Sequence, residues 1–279
     1  MQFKRTTFLT TGFLFLFTAC MPSGGFSSPL DSSPFFNNKQ LTNQPLSKPA
    51  MQHQTKMRNL QNQFPGVVFY KGDSSLKRVA LTFDDGPDNY YTPKILEILH
   101  QKHVKATFFV VGMTAKRHPS VLKRIVKEGH SLGNHGWGHA RIPKLTDDRI
   151  VQELTKAEDT IESITGLRPD IYRPPYGDLT AANVGLLHQL GFRVVDWSVD
   201  TEDWRGLSDQ QILSNVHKQV SPGAIILLHS LSRRGKLDGA LKALPQMIDQ
   251  LQAEGYEFVT VQTLLEKQSL PIPTLPDMP

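Results

Sequence analysis

Val79-Ala80-Leu81-Thr82-Phe83-Asp84-Asp85-Gly86-Pro87 starts as a short apolar run and ends in two adjacent carboxylates and a Gly-Pro turn. A run of that length with turn residues after it predicts a buried strand. Strands and helices alternate outward from it. Thr92-Pro93 predicts a helix start, with Thr92 as N-cap and Pro93 in the first turn. The β-branched and aromatic stretch Thr107 to Val111 predicts a strand. Further helices are expected over 121–127, from Thr146 to a stop at Gly166, and over 181–190. Ser208 and Gln211 form a capping box for a helix reaching Val220. A helix over 237–253, interrupted at Pro245, and a short one from Gln262 complete the set. Strands are expected over 170–173, 192–199, 224–228 and 256–259. About seven such repeats predict an α/β fold, a parallel sheet with helices outside. Polar clusters fall at the C-terminal ends of several strands, which favours a barrel over an open sheet. No Gly-rich phosphate loop follows the first strand, which speaks against nucleotide binding.

The 279 residues are 39% hydrophobic and 20% charged, which is not a disordered composition. The formal charge is +5, and no basic stripe with interleaved aromatics supports a nucleic-acid partner. Lys4 and Arg5 precede an apolar run, Phe8 to Phe17, that is too short to span a bilayer and has the layout of an export signal. Phe17-Thr18-Ala19-Cys20 resembles a lipobox, with Phe17 where Leu, Val or Ile is usual. A lipid anchor at Cys20 and an ordinary cleaved signal with an incidental Cys are both open. Either way the domain is expected outside the cytoplasm, in the cell envelope. The single Cys precludes an intramolecular disulfide. Residues 1–19 are therefore expected to be a signal peptide. The Ser-, Pro-, Asn- and Gln-rich residues 20–65 are expected to be a flexible linker, 66–270 one catalytic domain, and 271–279 an unstructured tail.

Five clusters carry chemistry. Asp84-Asp85 places two like charges side by side, tolerable if a cation or basic partner attends them; solvated turn aspartates are the plain alternative. His135 and His139 have the i, i+4 spacing that presents two imidazoles on one face of a helical turn. Two His and one Asp leave coordination positions open, as a catalytic site requires. Arg173-Pro174-Pro175-Tyr176-Gly177 holds an Arg rigidly, its fork suited to a carboxylate. A backbone N–H past the prolines can face an oxyanion; a structural ion pair is the alternative. In Asp196 to Trp204, Trp197 reads as core and Trp204 as a groove residue suited to a sugar face. His229 ends the apolar run 225–228 and, in a barrel, points to the same mouth as the other clusters.

These stretches, in this order over about 77–267, resemble the NodB-homology polysaccharide deacetylases, carbohydrate esterase family 4. The resemblance implies a distorted (β/α) barrel and hydrolysis of acetyl groups on a polysaccharide. It implies Asp84 as general base and Asp85, His135 and His139 as ligands of one divalent metal, zinc first and cobalt or manganese next. Arg173 would hold Asp84, and His229, oriented by Asp203, would be the general acid. The Tyr176 amide would bind the oxyanion. Trp204, Leu227, Pro174 and Tyr176 would contact substrate. Gly136 stands where the family usually has Ser or Thr, a departure that bears on the rigidity of the ligand loop. The expected substrate is the N-acetylglucosamine of peptidoglycan, acted on by a monomer. Chitooligosaccharide, exopolysaccharide and O-acetylxylan are the alternatives. A glycosidase is disfavoured, because adjacent Asp84 and Asp85 cannot flank a glycosidic bond. A non-catalytic glycan-binding envelope lipoprotein is the remaining class.

Overall fold

Among the described residues, nine short strands carry apolar residues toward one edge of the sheet. They are β1 Val68–Phe69, β2 Arg78–Asp84, β3 Thr107–Val110, β4 Ser131–Asn134, β5 Ile171–Tyr172, β6 Arg193–Val195, β7 Val199–Asp200, β8 Ala224–His229 and β9 Glu257–Phe258. The computed structural model describes residues 48–266. Its strands pair in parallel in the order β1-β6-β5-β4-β3-β2-β8-β7, with β9 also on β2. No ladder joins β1 to β7 among the described residues. One antiparallel bridge, Lys71 to Ala224, ties the chain after β1 to the start of β8. The parallel barrel-like sheet is as expected. It has more strands because the two-residue β1 is too short for periodicity to register, because 192–199 breaks in two, and because Ser131-Leu132-Gly133-Asn134 (β4) lacks the apolar, β-branched pattern that marks a strand.

The helices are α1 Lys48–Gln63, α2 Tyr91–Gln101, α3 Gly112–Arg117, α4 Pro119–Lys127, α5 Asp147–Thr165, α6 Ala181–Gln189, α7 Asp209–Gln219, α8 Asp238–Ala253 and α9 Val261–Leu265. Period-two alternation divides the strand residues between the two faces of the sheet. Val79, Leu81, Phe83, Ile226 and Leu228 join the cluster under the helices. Ala80, Phe109, Ile171, Val195, Ile225 and Leu227 form a second cluster on the inner face. Thr82 and Asp84 continue that inner column toward the C-terminal edge.

Several sequence expectations need correction. Residues 48–63 are not linker but α1, whose Met57 and Leu60 are buried with Val68, Leu179 and Val184. Their apolar spacing is sparse among Gln, Lys and Asn, which masks an amphipathic face. The rest of the linker, the signal segment with Cys20 and the tail lie outside the described residues. Thr92 is not the cap of α2. Asp88 Oδ1 accepts the amides of Tyr90, Tyr91 and Thr92 instead. The strand expected over 192–199 breaks into β6 and β7 because the Val195 and Asp196 carbonyls turn to accept from Arg173. α8 runs through Pro245 without ending there.

Candidate metal centre and active-site cleft

The register of β2 against β8 sets Asp84 beside His229, and that of β4 against β5 sets Asn134 beside Tyr172, so His135 and Arg173 leave adjacent strands. In this way the C-terminal edge gathers side chains distant in sequence. Arg173 is fully buried. Its Nη1 donates to Asp84 Oδ1 at 2.8 Å and to Thr82 Oγ1 at 2.7 Å. Nε and Nη2 donate to the carbonyls of Val195 and Asp196. The guanidinium lies 4.0 Å from the Phe109 ring centroid. Two charges this deep are tolerated only because nearly every donor is met.

Asp85 sits one residue past β2 with φ 74°. Its Oδ1 is 3.5 Å from His135 Nε2 and 3.1 Å from His139 Nε2. The three donor atoms lie within 4.8 Å of one another. His135 Nδ1 donates to the Arg173 carbonyl at 2.8 Å, which leaves the Nε2 lone pair for a ligand. His139 Nδ1 lies 3.2 Å from the Tyr176 hydroxyl. Asp85 Oδ1 is buried without a hydrogen-bond partner among the described residues, a costly state that a cation between the two imidazoles relieves. One carboxylate and two imidazoles are a donor set for a divalent transition metal with positions left open. Burial works to raise the Asp85 pKa, but the imidazoles of His135 and His139, with the His229 charge, outweigh it and hold the group far below the ordinary carboxylate range.

The histidine pair is not on a helical turn, as its spacing suggested. His135 follows β4, and Gly136 and His139 have φ 79° and 59°, so the loop reverses and returns the second imidazole to the first. Its rigidity comes from neighbours. Asn134 Oδ1 accepts the Gly136 amide, and the amides of Gly112 and Met113 hold the Gly136 and Trp137 carbonyls. Glu153, on α5, accepts the amides of Trp137 and Gly138 at 3.1 and 2.8 Å. The loop is thus held from α5 although residue 136 has no side chain. Glu153→Ala is expected to weaken metal binding by about 10-fold, read by chelator competition; unchanged affinity would refute this role for Glu153.

The cleft has a volume of about 490 Å3. Asp84, Asp85, His135, His139, Tyr176, Trp204, Leu227 and His229 line it. Trp197 lines it too, although it is buried, and so do Asp200, from the acidic cluster Asp196 to Trp204, and Arg141, which carried no sequence signal. Pro174 is not in the wall. It is buried at the start of the loop, its carbonyl accepting from Gly177, because the turn it rigidifies projects Tyr176 instead. Tyr176 and Trp204 are 55% and 51% exposed, an aromatic rim. Asp85, His139 and Tyr176 all adopt left-handed backbone without being glycine, a strain that clusters where geometry is functional.

Asp203 lies behind His229. Its Oδ1 is 2.7 Å from His229 Nδ1, and its Oδ2 accepts the His229 amide at 2.9 Å. Nε2 is thereby left for the cleft. Burial works to lower the His229 pKa. The charge and hydrogen bond of Asp203 overcome that, with Asp85 and Asp84 adding, and the group is pushed up to about 10. A cation on Asp85 offsets the contribution of Asp85 and Asp84 and leaves that of Asp203. The protonated form, and the stability it contributes, is fully present below the unfolded value near 6.5 and lost as pH rises through the folded one. Asp203→Asn is expected to move the alkaline limb of kcat/KM down by about 1 pH unit or more. An unmoved limb would show that Asp203 does not set the proton affinity of His229.

A buried carboxylate held by an arginine, a candidate metal donor set and a histidine paired with a carboxylate at one cleft define a metal-assisted hydrolase. Residues 71–195 match the family described as polysaccharide deacetylase. A peptidoglycan-N-acetylglucosamine deacetylase of Bacillus cereus is 41% identical over 71% of this chain and 71% of its own. Bacillus subtilis PdaA, named a peptidoglycan-N-acetylmuramic acid deacetylase, is 37% identical over 75% of this chain and 79% of its own. Its structure, described as a family 4 carbohydrate esterase, superposes with a TM-score of 0.69 over 76% of this chain and 90% of that one, at 34% identity. BA3943 of Bacillus anthracis, described as a family 4 pseudoenzyme, superposes at 0.66 over 70% of this chain and 68% of that one, at 33% identity. The chain belongs to the polysaccharide deacetylase family, the NodB-homology esterases.

Proposed function

We propose that this chain removes N-acetyl groups from N-acetylglucosamine residues of peptidoglycan, with zinc as its metal. The observation that carries the reading is the convergence of Asp85, His135 and His139 at the cleft that also holds the Arg173–Asp84 and Asp203–His229 pairs. One relative is described as a pseudoenzyme, so family membership alone does not imply turnover; the intact set of groups here does support it.

When bound, the cation supplies Lewis-acid polarisation of the acetyl carbonyl and a lowered pKa for water. Asp84 accepts the proton of the attacking water, and Arg173 fixes which carboxylate oxygen is left to do so. In this reading the Tyr176 amide, just past the rigid Pro174-Pro175 pair, is the donor to the developing oxyanion. His229, protonated through Asp203, gives its proton to the leaving sugar amine. Trp204 and Tyr176 offer aromatic faces to the sugar chain.

Acetate release from purified peptidoglycan, chitooligomers and acetylxylan, with zinc, cobalt or manganese added after chelation, tests the reading. Mass spectrometry of the products locates the lost acetyl group. Acetate from the glucosamine of intact glycan, abolished by chelation and restored first by zinc, is the expected result. Loss from muramic acid, or release from chitooligomers or acetylxylan alone, would overturn the substrate assignment. No acetate from any glycan would favour a binding protein. The same reading places the domain in the envelope, anchored through Cys20, and acting as a monomer. Cys20→Ser is expected to release it from the membrane fraction.

A further inference from the structure

α1 precedes the segment that matches the family, yet it reaches the back of the active site. His53 Nε2 lies 3.1 Å from Asp196 Oδ1, and its ring stacks on Trp197 with centroids 4.5 Å apart and planes inclined by 15°. Gln54 Nε2 donates to the Ser198 carbonyl at 2.8 Å, and Lys56 Nζ to the Gly177 carbonyl at 3.4 Å. The helix thus binds two segments, 196–198 and the turn through Tyr176 and Gly177. A Cβ placed on Gly177 would meet His53 Cε1 at 2.5 Å and Trp197 Cη2 at 2.9 Å, so the two rings seat directly on that turn.

Asp196 is fully buried. Its Oδ1 takes the Trp197 amide and His53, while Oδ2 has no hydrogen-bond partner among the described residues. Without His53 the carboxylate would keep only one donor, and segment 196–198 would have to move to hydrate it. That segment holds Arg173, whose Nη2 donates to the Asp196 carbonyl at 3.1 Å while Nη1 holds Asp84. Trp197 also lines the cleft.

We propose that His53 is a positioning residue for the deacetylation, acting through Asp196 and Trp197 on the Arg173–Asp84 pair and on the turn that carries Tyr176. The proposal rests on the deacetylase reading above. Because it acts on the base held by Arg173 and on the backbone of the Tyr176 turn, both engaged in the chemical step, its signature is in kcat. His53→Ala, made in the full chain and assayed well below its Tm, is expected to lower kcat by about 10- to 100-fold with KM within about twofold. His53→Gln carries a donor at the reach of Nε2 and is expected to recover most of the loss. Three results would overturn the proposal: His53→Ala with wild-type kcat, a loss confined to KM, or Gln and Ala variants equally impaired. Absence of acetate release by the wild-type chain in the same assay would count against the deacetylase reading itself, which separates the two failures.

Discussion

Asp84→Asn is expected to reduce kcat for acetate release by about 10²–10⁴-fold while the protein remains folded and loaded with metal. The amide cannot accept the proton of the attacking water, so the loss falls on the chemical step. Metal binding should be unaffected, because the donors are Asp85 Oδ1 and the two imidazoles. The substitution also removes the charge facing a fully buried guanidinium. Arg173 keeps Thr82 Oγ1 and the carbonyls of Val195 and Asp196, so the cost is a lowered Tm and not unfolding. Circular dichroism and bound-metal content separate the two effects. A folded, metal-loaded Asn variant with near wild-type kcat would remove Asp84 from the role of base.

His229→Ala is expected to cost about 10²–10⁴-fold on an acetamide substrate. An amine leaves poorly unless it is protonated as the bond breaks. A phenolate leaves without that help. The same variant should therefore lose much less on an aryl acetate, and the ratio of the two losses isolates the acid role from any general damage. Asp203 retains the amide of residue 229 as a donor, so the buried carboxylate is not stranded. Equal losses on both substrates would point to a binding or structural role for His229.

Much of this site could be read from residues alone, because chemistry-bearing side chains sit at strand ends where the register is short and strict. Asp84 and His229 are 145 positions apart in number, yet both end apolar runs, and neighbouring parallel strands bring such ends together. The candidate donor set followed from residue type, although its backbone did not: the i, i+4 spacing of His135 and His139 suits a helix, and Gly136 in the left-handed region makes it a loop. Glu153 was invisible because its role depends on where α5 and the ligand loop pass one another. α1 was hidden for a different reason. Among its described residues the buried apolar side chains are Met57 and Leu60, set among polar ones, and its prolines-and-glutamine neighbourhood has the composition of a tether. Truncation at residue 66, the domain start expected from composition, would remove His53 with it.

The centre is tested most directly by anomalous diffraction at the zinc edge from crystals of the zinc-loaded protein. One peak bonded to Asp85 Oδ1, His135 Nε2 and His139 Nε2, and lost in His139→Ala, is the result predicted here. A peak elsewhere, or none in a protein that still releases acetate, would contradict it.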